Sequence, residues 1–123
     1  MTAVPDEPSG WYSVPEAAEL LGVRDRDVRA MLRDRRLLAV PHGPNSARSV
    51  PADLLLGPEV DDGPGPLPNL RGTLIVLADA GYDDEESFRW LYSPHEELGS
   101  TPVAALRARR THAVRRVAQT LGF

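Results

Sequence analysis

Three arginines, Arg26, Arg29 and Arg33, recur at intervals of three and four residues, a spacing that sets them along one face of a helix. A guanidinium stays charged at neutral pH and presents a planar fork of donors. A row of them therefore suits phosphate oxygens or the O6/N7 edge of guanine, as a helix in a DNA major groove would require. Further candidates for phosphate contact flank the row. Ser13 and Arg24 stand where helices begin, Arg36 follows the row, and His42 and Arg48 fall in a turn-rich segment beyond it. Asp25, Asp27 and Asp34 dilute this charge, and an arginine-bearing helix taken alone is usually a solvated face.

Other chemistries find less support. The chain has no cysteine, and His42, His95 and His112 are scattered without metal-ligand spacing. The run Asp83-Asp-Glu-Glu86 lacks the alternation and glycine of a calcium loop and is better explained as an acidic helix start. No glycine-rich phosphate loop or nucleophile elbow is present. The sequence thus argues for a binding protein and against an enzyme, a metal or a cofactor.

The elements that must position the arginines are legible locally. Ser13 and Glu16 form an S-x-x-E capping box, with Pro15 in the tolerant first turn. Val14, Ala17, Ala18 and Leu21 recur at helical spacing up to Gly22, where a left-handed turn is cheapest. A second short helix then places Val28, Met31 and Leu32 on the face away from the arginines. Leu38-Ala-Val40 and Arg48-Ser-Val50 bracket the tip His42-Gly-Pro-Asn-Ser46, which is turn chemistry between two β-prone runs. Helix, tight turn, helix and hairpin make a winged helix-turn-helix.

Residues 11–56 resemble the winged helix-turn-helix of MerR and excisionase-type proteins. The resemblance rests on Trp11-Tyr12-Ser13, Glu16-Ala17-Ala18, Leu20-Leu21-Gly22-Val23, Leu37 with Ala39-Val40, and Val50-Pro51 with Leu55. Arg24 stands where that pattern usually has a serine or threonine cap. Arg35 replaces a helix-ending glycine, so a positive backbone angle kept there would carry strain. The whole chain is similar to a small actinobacterial family of stand-alone winged-helix DNA-binding proteins whose mycobacterial member is linked to a serine/threonine kinase. That resemblance implies a kinase as partner and makes Thr2 and Ser9 candidate phosphorylation sites. A last resemblance runs through Trp90-Leu-Tyr-Ser-Pro94, Leu98-Gly99, Thr101–Leu106 and Val114–Val117, which are similar to the toxin-binding domain of Xre/MbcA/ParS-type antitoxins. It implies an alternative in which the C-terminal helices bind a protein partner.

Charge distribution reconciles the arginines with a net charge of −4. Residues 24–50 hold seven arginines against three aspartates, and residues 101–123 hold five arginines and no acid. The stretch between them is strongly acidic. Local field, more than total charge, draws phosphate. No apolar run approaches the ~20 residues that span a bilayer, and no signal segment opens the chain, so a cytoplasmic location and no membrane partner are expected. The expected organisation is a disordered tail at 1–10, the winged helix at 11–56, a Pro/Gly linker at 57–68 unable to hold a helix or ladder, and a helical C-terminal unit at 69–123. The fold class is mainly α. No heptad run long enough to zip a dimer is visible, so a monomer is expected.

Overall fold

The computed structural model describes residues 7–121. Helix α1 (Val14–Leu21) starts at its capping box: the Ser13 hydroxyl accepts from the Glu16 amide at 3.2 Å, and the Glu16 carboxylate accepts from the Ser13 amide at 2.8 Å. Both amides lack a helical carbonyl partner. The helix ends at Gly22, whose φ of 70° lets the Val23 amide donate back to the Ala18 carbonyl at 3.0 Å. Helix α2 (Asp25–Arg33) follows at once. Its cap residue is Arg24, whose side chain accepts nothing, so only the return half of a capping box forms: Asp27 accepts from the Arg24 amide at 3.0 Å.

Helix α2 closes in a Schellman turn. The Arg36 amide donates to the Met31 carbonyl at 2.9 Å, and Arg35 takes the left-handed position with φ of 60°. The strain expected at Arg35 is present. That backbone costs an L residue ~1–2 kcal/mol, part of which glycine would give back as unfolded-chain entropy. Arg35→Gly is therefore expected to stabilise the protein by roughly 0.5–1 kcal/mol, seen as a higher urea midpoint at unchanged m-value. A lower midpoint would mean that the arginine side chain holds the turn.

The wing is a hairpin of β2 (Val40–His42) and β3 (Ala47–Pro51), closed by a turn in which the Ser46 amide donates to the Gly43 carbonyl at 3.0 Å. A third strand, β1 (Trp11–Ser13), pairs antiparallel with the other edge of β3 in the register Trp11↔Pro51 and Ser13↔Ser49. The sheet thereby fixes the entry to α1 directly against the wing.

The Pro/Gly stretch departs from expectation by holding a short ladder. Strand β5 (Gly65–Pro66) pairs with β4 (Leu55–Leu56), just after a 3-10 turn at Ala52–Leu54. Proline is tolerated in so short a pair because an edge residue need not donate. Four helices complete the described residues: α3 (Leu70–Asp79), α4 (Asp84–Leu91), α5 (Pro102–Arg107) and α6 (Thr111–Gln119). Asp83 and Glu86 make a second reciprocal capping box, and the Thr101 hydroxyl accepts from the Ala104 amide at 3.2 Å. The run beginning at Thr101 breaks at Arg109 (φ 63°) and restarts at Thr111.

One buried cluster spans both halves. Ala17, Val28, Leu37, Val50 and Leu54 belong to it, and so do Leu70, Leu77, Leu91, Leu106 and Val114. Arg107 and Arg109 tie the helical unit to the segment before it, and Arg110 braces that unit from within. Arg107 donates to the Asp53 carbonyl at 2.7 Å, Arg110 to the Leu98 carbonyl at 2.6 Å, and Arg109 pairs with Asp62. Three of the five arginines after residue 100 are thus bonded to the protein itself.

Candidate nucleic-acid interface

Helix α2 turns Val28 into the core, with Met31 and Leu32 half-buried beside it. That orientation leaves Arg26, Arg29 and Arg33 exposed together on the outer face. Among the described residues none of the three has an ion-pair partner. Arg29 and Arg33 share a groove of about 330 Å³ with Val14 and Leu32, and the wing residue Arg48 forms its far wall. Arg29 and Arg33 of α2 and Arg48 of the wing therefore converge on one concave surface.

The remaining candidates sit around this groove in different states. Arg24 is exposed at the start of α2. Ser13 is half-buried; its oxygen is used by the α1 cap, while its proton is free to be donated. Arg36 pairs with Asp34 at 3.6 Å, and Arg48 pairs with Asp84 at the start of α4 at 3.8 Å. His42 stacks on Trp11 with ring centroids 3.9 Å apart, and Trp11 in turn meets Phe88 of α4 at 5.6 Å. A third contact from the C-terminal unit went unread in the sequence: the Nε of Arg71 on α3 donates to the Asp34 carbonyl at 3.0 Å, tying down the end of α2. Only the charge pattern hinted at Arg48–Asp84, and nothing local announces Arg71.

A hollow of about 530 Å³ lies between the linker and the α5–α6 turn, away from this groove. Two of its charged residues, Asp62 and Arg109, pair with each other.

Residues 2–55 match the family described as the winged helix-turn-helix domain of DNA-binding protein Rv2175c, and residues 67–122 match the Rv2175c C-terminal domain of unknown function. The chain is 34% identical to the DNA-binding protein Rv2175c of Mycobacterium tuberculosis, an alignment covering 97% of this chain and 84% of the relative. The chain belongs to the Rv2175c family. The NMR structure of Rv2175c is similar throughout, with a TM-score of 0.78 at 32% identity, covering 100% of this chain and 86% of that one. The Rv2175c-family fold thus includes the helical unit as well as the winged helix.

Within this Rv2175c-type winged helix, Ser9 is not loose. Its amide and hydroxyl donate to the two oxygens of Asp53, at 3.0 and 2.6 Å, and the Tyr92 hydroxyl donates to the same carboxylate at 2.9 Å. Thr2 lies outside the described residues. Partial burial opposes ionisation of Asp53, but the Ser9 and Tyr92 hydrogen bonds and the nearby Arg107 charge outweigh it and hold the pKa below the ordinary 3.8. Burial, hydrogen bonding to Asp53 and the Asp53 charge all push the Tyr92 phenol up.

The signs follow. Asp53 is more acidic in the fold, so its stabilisation is present above pH 3.8 and is lost as pH falls through the lower folded value. Tyr92 is less acidic in the fold, so its share is present below pH 10.0 and is lost as pH rises beyond it. Asp53→Ala removes the acceptor for all three donors and is expected to cost about 2 kcal/mol at pH 7. It should also flatten the acid limb of a melting-temperature profile. An acid limb unchanged in the variant would assign that limb to other carboxylates.

Proposed function

We propose that this chain binds double-stranded DNA, with α2 in the major groove and the wing on the flanking backbone, and that it acts in transcriptional control within the cytoplasm. The observation that carries the reading is the row Arg26, Arg29 and Arg33, exposed and without acidic partners among the described residues, of which Arg29 and Arg33 share one groove with Arg48. Membership of a family whose first domain is described as that of a DNA-binding protein supports it. The three α2 arginines are positioned to meet base edges, while Ser13, Arg24, Arg36, His42 and Arg48 surround them as phosphate contacts. Arg36 and Arg48 each exchange an exposed carboxylate for a phosphate.

No helix among the described residues is long and apolar enough to cross a membrane. The antitoxin-like alternative gains nothing from the packing, since Val103, Leu106, Val114 and Val117 face the shared core. A serine/threonine kinase acting on Thr2 or Ser9 is the regulatory partner we propose. A phosphoryl group on Ser9 would set a dianion against Asp53 and unfasten the segment.

The test is retention of genomic fragments, the gene's own promoter among them, at several salt concentrations. The reading expects sequence-selective retention that weakens as salt rises. Absence of binding at low salt would overturn it and direct a pull-down at the C-terminal helices.

A further inference from the structure

The contact between the wing and α4 has a chemistry of its own. Arg48 lines two concavities at once: the groove it shares with Arg29 and Arg33, and a narrow cleft it shares with Arg35, Leu74, Asp84 and Ser87. The guanidinium therefore stands between the proposed DNA face and a carboxylate of the C-terminal unit. Its link to Asp84 is long, 3.8 Å, and the two side chains are 59% and 50% exposed, which is the geometry of a weak, readily exchanged pair. Asp84 itself is firmly placed. The Asp83–Glu86 capping box fixes the first turn of α4, the helix dipole favours a carboxylate there, and the Trp11–Phe88 contact presses α4 towards the sheet.

We infer that Asp84 acts as an intramolecular stand-in for a DNA phosphate, occupying Arg48 so that the C-terminal unit competes with DNA for the wing. This assigns the domain of unknown function an antagonist's part. The wing arginine must leave a fixed carboxylate before it reaches the backbone, and the displaced charge then faces the phosphates. The inference rests on the DNA-binding reading and concerns the wing contact only.

The experiment is a double-mutant cycle on one duplex at constant low salt: wild type, Asp84→Asn, Arg48→Ala and the two combined, with Glu85→Gln as a neighbouring charge control. Glu85 lies in the same helical turn without an ion-pair partner among the described residues. Asp84→Asn is expected to tighten binding about two- to fivefold, with most of that gain lost when Arg48 is alanine and with a smaller gain from Glu85→Gln. Equal tightening with and without Arg48, or from Glu85→Gln as much as from Asp84→Asn, would reduce the effect to general charge and overturn the inference. So would no tightening at all. Arg29→Ala/Arg33→Ala measured alongside separates the two levels. Loss of binding there with a neutral Asp84→Asn refutes the competition alone, whereas binding indifferent to Arg29 and Arg33 refutes the DNA face beneath it.

Discussion

Replacing Arg29 and Arg33 together with alanine is expected to abolish sequence-selective DNA retention while leaving the fold intact. Both side chains are exposed on the outer face of α2 and line the same groove, so their truncation removes no core contact. Alanine is the better helix former, which protects α2 in the variant. A guanidinium paired bidentately with guanine discriminates by ~1–3 kcal/mol. Losing two such contacts weakens specific binding by at least about thirtyfold if each is worth only the lower figure. If both contact phosphate instead, the slope of log K against log salt falls by about 1.8, and affinity drops evenly across sequences. The two outcomes distinguish base reading from backbone contact. An unchanged affinity with an unchanged salt slope would remove α2 from the interface.

The second large effect concerns the junction. Leu54 is fully buried, its carbonyl accepts from the Leu67 amide at 2.8 Å, and α5 packs against its 3-10 turn. Truncating a leucine in such a site costs 2–5 kcal/mol elsewhere, and about 3 kcal/mol is expected for Leu54→Ala, lowering the melting temperature by roughly 10–15 °C. Because the buried cluster is shared, the loss should be global. Near-UV signals from Trp11 in the winged helix and Trp90 in α4 should disappear in one coincident transition, displaced downward together. Two separated transitions would show that the halves are stable independently, and would also weaken the inference that α4 holds a fixed carboxylate beside the wing.

Much of this architecture is legible in the sequence because its determinants are local. Ser13 with Glu16, Gly22, Asp83 with Glu86, and Thr101 before Pro102 each satisfy backbone groups within a few residues, so residue types alone announce the helix ends. The arginine face of α2 is legible for the same reason, through the phase of its apolar residues. What escapes is long-range. Strand β1 is three residues long and exists by pairing with β3, far along the chain. Ser9 meets Asp53 across 44 residues and Tyr92 meets it across 39, and neither contact leaves a periodic trace. Arg35 is an intermediate case: the resemblance points to a missing glycine, and the observed φ of 60° shows that the turn was kept without one. The C-terminal arginines, by contrast, stand in the sequence only as five basic residues without an acid, whereas Arg107, Arg109 and Arg110 are committed to Asp53, Asp62 and Leu98.

That contrast defines the most direct test of the central claim, that DNA meets α2 and the wing. The measurement is a titration of a cognate duplex into isotopically labelled protein, following the Nε–H resonances of the arginines together with the backbone amides. Arg26, Arg29, Arg33 and Arg48 are expected to shift and broaden first, with the amides of α2 and of the 43–46 turn, while Arg107 and Arg110 stay where their carbonyl partners hold them. Perturbation centred on α5 and α6 with a silent α2 would contradict it.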